Sequence, residues 1–370
     1  MKVPLFAVKM ASDVDLSSVL QSGYIAQGPK VDELEEKLQG FFGNALCATV
    51  NAGTSALHLA LRLVRDTCGD RNTVLSIPLT CTATNFPILA NGFDIRWVDT
   101  DPTTCNADMV DLRRKIGPDV AAIMVVHWGG SPCDLDALRS IQDQCEQLYG
   151  YRPPIIEDAA HAFGAKWDGE LLGNHDNFVT YSFQAIKHFT TGDGGLLISP
   201  TYEQHKKAKL LRWFGLDREN SPDMRCEQNV KDWGYKFHMN DINATIGLRN
   251  FETVEEVVHK HRENGYFLDE MLKDIEGIKL VDKHPSAESS YWIYTLRVED
   301  REAFVKQLAG AGIAANQVHD RNDKHACLSK YRIPLPGTDE LMSDMISIPC
   351  GWWVGEDERD HIVETIEGGW

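Results

Sequence analysis

Between residues 73 and 199, six short runs rich in β-branched and aromatic residues alternate with stretches of helical periodicity: TVLSIP (73–78), DIRWVD (94–99), VAAIMVVHW (120–128), PIIEDA (154–159), FVTYSF (178–183) and GGLLIS (194–199). Several runs are apolar at consecutive positions, which suits strands covered by helices on both faces. The helical stretches include VDELEEKLQGFF (31–42), with Val31, Leu34, Leu38 and Phe41 at helical spacing, then SALHLALRLV (55–64), ADMVDLRRKI (107–116) and DLDALRSIQDQCEQL (134–148). Such alternation predicts a large α/β domain with a mostly parallel sheet. From about residue 251 the rhythm changes. A long helix (252–275) leads to strands IKLV (278–281) and SYWIYTLRV (290–298), a helix at 301–312 and an acidic helix at 356–367. With 370 residues the chain exceeds one ordinary core. The expected organisation is a large domain over 1–250, N-terminal arm included, and a smaller α+β domain over 251–370. No repeat or Gly/Ser-rich linker separates them, so the two are expected to pack firmly.

Charge and composition narrow the function classes. Thirty-seven basic against 55 acidic residues give a net charge of −18, and no Lys/Arg block could form a phosphate-binding face, so nucleic acid is not an expected partner. No stretch approaches the roughly 18 uninterrupted apolar residues of a membrane span. The first residues are broken by Lys9 and Asp13, too early for a secretory signal. Nine scattered cysteines form no C-x-x-C, and no H-E-x-x-H occurs, so no metal site is expected. The reading is a cytoplasmic enzyme with reduced thiols.

Three motifs carry chemistry. In NAGTSALHLAL, Gly53, Thr54 and Ser55 open a helix, whose N-terminal N–H groups and hydroxyls can hold an anion; a simple N-cap is the alternative. In PIIEDAAHAFGA, a branched apolar strand delivers Glu157, Asp158 and then His161 to its carboxyl end, where open α/β sheets bind ligands; a capping Asp with a satisfied His behind it is equally open. In YSFQAIKHFTTGDGGLL, Lys187 lies between Ile186 and Phe189, which suits either a snorkelling surface lysine or a Schiff-base nucleophile of lowered pKa. Asp158 and Lys187 follow successive strands and can face one cavity. A helix end for phosphate, a buried carboxylate and an apolar-flanked lysine are the parts pyridoxal phosphate requires.

The ordered series NAGTSALHLAL, PLTCTATNFPI, EDAAHAFGA, SFQAIKHFTTGDGG and GYKFHMNDINATIGL resembles the DegT/StrS-like nucleotide-sugar aminotransferases, over essentially the whole chain from 22 to 353. The resemblance implies the aspartate aminotransferase fold type I and a homodimer with active sites at the subunit interface. It also implies an amino transfer from L-glutamate to a keto group of a nucleotide-linked deoxysugar, through an internal aldimine of pyridoxal phosphate on Lys187. Asp158 matches the partner of the pyridine nitrogen, and His161 a position near the phenolic oxygen. Gly53, Thr54, Ser55 and Ser182 match the phosphate-binding positions. Cys81 stands where the family usually stacks an aromatic residue on the ring, and Lys236 where the second subunit often brings Asn. The segment 316–328, with His319, Arg321 and Lys324, lies where the family contacts sugar or diphosphate; a solvated loop is the alternative. A deoxygenating branch carries His at the lysine position, and Lys187 here, followed by His188, favours amino transfer over dehydration. A dehydratase or epimerase of the same fold, or a non-catalytic homologue, stays open beside this reading. His127 and Trp128 at a strand end could border the site, and Trp213 with Arg212 could too, although a core role suits Trp213 better.

Overall fold

The computed structural model describes residues 1–218 and 226–370. Its first strands are β1 (Cys47–Val50), β2 (Thr73–Ser76), β3 (Asp94–Trp97), β4 (Val120–Val126) and β5 (Ile155–Asp158). A small ribbon, β6 (Lys166–Trp167) and β7 (Glu170–Leu171), follows, then β8 (Phe178–Ser182) and β9 (Gly195–Ile198). Seven of these form one sheet in the order β1-β9-β8-β5-β4-β2-β3. Strands β3, β2, β4, β5 and β8 are parallel neighbours, while β9 runs antiparallel to both β8 and β1. All six runs read from the sequence are strands of this sheet.

Strand β1, four residues with a polar Thr49 among them, was not read from the sequence. That threonine is satisfied internally: its N–H and its hydroxyl both donate to Glu35 Oε1 at 2.8 Å. The consecutive apolar positions have the expected cause. In β4, Ile123 and Val125 enter a core shared with the helix Pro29–Phe42, whereas Ala122 and Met124 enter the core beneath the helix Gly53–Arg65. Alternating side chains thus serve opposite helical layers.

The C-terminal part contributes β10 (Ile278–Leu280), β11 (Ala287–Glu288), β12 (Tyr294–Val298) and β13 (Met345–Ile348). The antiparallel sheet β10-β12-β13 carries a separate apolar core in which Leu296, Phe304, Leu308 and Ile362 meet. That second core supports the two-domain division we propose, but two elements cross it. The helix Val254–Leu272 gives Val254 and Val258 to the first core and Leu268 and Leu272 to the second. The ribbon β6 pairs with β11.

The N-terminal arm also departs from its expected place with the large domain. Val3 is buried in the C-terminal core, donates its N–H to Gly312 O and accepts the Ala314 N–H, both at 2.9 Å. Trp353 Nε1–H donates to Pro4 O at 2.8 Å. Farther on, Ala11 N–H reaches Asn250 Oδ1 at 2.8 Å, so the arm straps both cores together. Its apolar residues lack a period, and nothing in their spacing points to this partner. Among the described residues no helix is long and apolar enough to cross a membrane, no group of side chains could hold a metal ion, and all nine cysteines are free thiols.

Candidate active site

A cavity of about 590 Å³ opens at the carboxyl ends of β5 and β8, the usual place for a ligand in such a sheet. Asp158, the last residue of β5, is buried there. Thr84 Oγ1–H donates to its Oδ2 at 2.7 Å and Ala160 N–H to its Oδ1 at 3.1 Å. Burial pushes its pKa up, while those two donors and the nearby Lys187 charge pull it down.

Lys187 lies in the irregular segment between β8 and β9. Burial lowers its ammonium pKa to about 8, against the opposing pull of Asp158 and Cys81. Its Nζ sits 3.7 Å from the centre of the Trp292 ring. His161 stacks on the same indole at 3.8 Å with an interplanar angle of 16°, and His319 lies parallel to His161 at 5.4 Å. Burial holds His161 well below the usual imidazole range and His319 at about 4, with the Lys187 charge adding to both effects. Neutral imidazoles therefore face the lysine.

The helix Gly53–Arg65 points its N-terminus at the cavity. Its N-cap, Ala52, makes no side-chain cap, so the first-turn N–H groups have no side-chain acceptor there. Close approach explains the glycines beside it. A Cβ on Gly53 would lie 2.9 Å from Ser182 Cβ, and one on Gly195 would meet Gly53 N at 2.6 Å. Gly53, Thr54 and Ser182 line the cavity, as do Cys81, His161 and His319. Ser55 is turned away, donating its hydroxyl to Asn51 Oδ1 at 2.6 Å.

Other residues named from the sequence lie apart from the cavity. Lys236 is exposed, and its carbonyl accepts the Asn51 side-chain N–H at 3.3 Å. Arg321 makes a two-point ion pair with Asp323 at 2.7 Å and a further pair with Asp339. Lys324 pairs with Asp320. Arg212 is buried against Glu35 and Thr49 O, and Trp213 packs on His238, which are framework roles. His188 Nε2–H donates to Ser290 O at 2.9 Å.

His127 lies one layer below the cavity. Its Nδ1 accepts the Cys133 N–H at 3.0 Å, so the ring hydrogen sits on Nε2 and faces Glu157 Oε2 at 2.8 Å. Asn177 holds the other Glu157 oxygen at 2.7 Å. Trp128 donates its indole N–H to Thr295 Oγ1 at 3.0 Å.

Several lining residues were missed: Leu5 and Phe6 come from the arm and Trp292 from the C-terminal part, whereas Asn316 and Val318 belong to the 316–328 segment named from the sequence. The segment holding His319 is docked by Asn322, whose side-chain N–H donates to Thr80 O at 2.6 Å and whose Oδ1 accepts from Asn85 at 3.1 Å. Asparagines read as loop residues from sequence; in the fold the backbone pairing of Leu79 with Arg321 marks the same junction.

The residues present fit a phosphorylated pyridine aldehyde. An amine of lowered pKa, a buried carboxylate and an uncapped helix N-terminus converge on one space, and His161 Nδ1 is buried there without a partner. The structure superposes on AtS13 from Actinomadura melliaura with a TM-score of 0.97 at 47% identity, covering 100% of this chain and 99% of the other. It matches the sugar aminotransferase CalS13 from Micromonospora echinospora with a TM-score of 0.96 at 44% identity, covering both chains in full. The sequence is 28% identical to a UDP-4-amino-4,6-dideoxy-N-acetyl-beta-L-altrosamine transaminase from Campylobacter jejuni over 96% of this chain and 94% of that protein. The model of one family fits residues 9–367: with its fold type I architecture, the chain belongs to the DegT/DnrJ/EryC1/StrS aminotransferase family.

Proposed function

We propose that the chain is a pyridoxal-phosphate-dependent aminotransferase that moves an amino group from L-glutamate to a keto group of a nucleotide-linked sugar, with the cofactor held on Lys187. The observation that carries this reading is the meeting of the Lys187 amine, the buried Asp158 carboxylate and the open N-terminus of the helix Gly53–Arg65 in one cavity. Family membership supports the reaction class, and the Campylobacter relative's name supports a nucleotide-linked acceptor.

Bound pyridoxal phosphate supplies an electron sink for negative charge at the carbon losing its proton. The protein's part follows from its own groups. Asp158, aimed by Thr84 and the Ala160 N–H, presents a negative oxygen that holds a ring N–H. The first-turn N–H groups at Gly53 and Thr54, with the Ser182 hydroxyl, suit the phosphate. Ser55 supports this loop through Asn51. Lys187, whose amine is partly free near neutral pH, would take and return the proton of the donor carbon at its Nζ. Cys81 offers a sulfur toward the cavity where an aromatic face would cover more of the ring.

With Asn316 and Val318, His319 brings the 316–328 segment to the cavity and would meet the sugar, while Arg321 and Lys324 act there as neighbours that fix the segment through their ion pairs. The exposed Lys236 has a place in this reading as a contribution to the neighbouring site of a homodimer. A cytoplasmic location suits the nine free thiols.

Incubation of the purified, cofactor-loaded protein with glutamate should release one 2-oxoglutarate per site and leave the pyridoxamine form. That form should then aminate a member of a panel of nucleotide-linked 3-keto and 4-keto sugars, read by mass spectrometry. Protein that binds the cofactor yet releases no 2-oxoglutarate from glutamate would refute the donor half of the proposal.

A further inference from the structure

The Trp292 indole has no role in the chemistry above, yet it is among the most tightly held side chains in the molecule. It is 2% exposed. Its Nε1–H donates to the carbonyl of Ile186, the residue before Lys187, at 2.9 Å. His161 stacks on it at 3.8 Å and Phe6 of the arm at 4.9 Å. The backbone that presents it is fixed as well. Tyr291 takes a φ of 47°, in the left-handed region, and its carbonyl accepts from His261 Nδ1–H at 2.8 Å. The preceding Ser290 N–H donates to Gly130 O at 3.0 Å. Holding a non-glycine residue at positive φ costs free energy, so the surroundings must over-determine this turn.

All of this places the ring face 3.7 Å from Lys187 Nζ. An indole face attracts a cation through its quadrupole, most strongly where water is excluded. The other titratable groups facing Lys187 are Asp158, Cys81, His161, His188 and His319. Of these, burial keeps the three histidines neutral, while Asp158, held by Thr84 and Ala160, and Cys81 favour the ammonium through space beside the ring face.

We propose that Trp292 is a positioning residue for Lys187, its ring face being the seat on which the free ammonium rests whenever the lysine is not covalently engaged. This rests on Lys187 being the reacting amine. Because Trp292 precedes β12 of the C-terminal sheet, the seat belongs to the smaller domain while the lysine belongs to the larger sheet. The orientation of the amine is thereby tied to the docking of one core on the other.

The test is the pH dependence of Lys187 acylation in the full-length chain without added cofactor, followed by peptide mass spectrometry, with exposed Lys306 as the internal reference. Trp292→Leu should move the midpoint for Lys187 down by about half a pH unit or more, leaving Lys306 unchanged. A fluorinated tryptophan placed at 292 alone keeps the shape and weakens the quadrupole, so it should lower the midpoint in the same direction even if Trp292→Leu fails to fold. An unchanged midpoint with the fluorinated side chain would overturn the proposal. Reductive trapping of pyridoxal phosphate on the Lys187 peptide of the unsubstituted protein checks the underlying reading separately: a shifted midpoint without trapping sinks the cofactor assignment and leaves the seat standing.

Discussion

Thr84 Oγ1 donates to Asp158 Oδ2 at 2.7 Å, and this one hydrogen bond opposes the burial that pushes the carboxyl pKa up. Thr80 Oγ1 stands 2.7 Å behind it, so the hydroxyl has a second partner and a fixed direction. Thr84→Val removes the donor and leaves the burial. The Asp158 pKa then rises further, and the acid limb of the kcat profile moves to higher pH, with kcat at neutral pH falling about tenfold. Thr84→Ser should restore most of the loss. A pH–rate profile of the three proteins checks this; an unmoved acid limb in Thr84→Val contradicts it.

Asp158→Asn keeps the shape and removes the charge. Turnover is expected to fall about 10³-fold or more, the scale on which a preorganised charge in a water-poor site acts. Single-turnover release of 2-oxoglutarate from glutamate measures it, and a loss of only a few fold would be incompatible with the assigned role.

Lys187 burdens the fold that it serves. Its pKa falls from the ordinary 10.5 to about 8 on folding, so between those values the unfolded chain binds more protons. The destabilisation is full below about 8 and fades as pH rises toward 10.5. Lys187→Met should abolish turnover and stabilise the protein at pH 7 by about 1–3 kcal/mol, allowing for partial solvent screening. Thermal melts from pH 7 to 10 should show the two proteins converging; a constant gap would show that the charge is not the cause.

Glu157 is fully buried beneath the cavity between His127 and Asn177. Glu157→Ala strands the His127 Nε2–H and the Asn177 amide, with an expected cost of about 3–5 kcal/mol. Denaturant unfolding reads it, and a loss under 1 kcal/mol would mean that water replaces the carboxylate.

In the 316–328 segment, His319 borders the cavity whereas Lys324 points to Asp320. His319→Ala should raise KM for the keto sugar about tenfold and Lys324→Ala less than twofold, since exposed ion pairs contribute little. Steady-state kinetics with the sugar varied separate them, and the reverse order would reassign the contact.

Six of the seven strands of the large sheet, the long helices and the placement of Asp158 and Lys187 were legible because each rests on local pattern: apolar runs of strand length, followed by the residues that such strands deliver to their carboxyl ends. Trp292 was not legible. It lies 105 residues beyond Lys187 in a run that reads as continuous strand, and the turn at Tyr291 that aims it is a tertiary compromise rather than a local preference. Thr84 was hidden in a helix, where threonine ordinarily signals nothing. The docking of the arm was not legible because Val3 and Phe6 carry no period: Val3 enters the second core, and Phe6 stacks on Trp292. Arg321 and Lys324 looked available for a diphosphate, but the sequence neighbours Asp320 and Asp323 already neutralise them.

Beside the arm's Leu5 and Phe6, the cavity wall draws on two stretches: Asp158 ends a strand of the large sheet and Lys187 follows its neighbour, whereas Asn316, Val318 and His319 arrive from the C-terminal third. Such a partition would let changes in one stretch of sequence retune the clientele while Asp158 and Lys187 stay as they are. It also gives protein engineers a natural seam at which to graft one sibling's selectivity onto another's reactive centre.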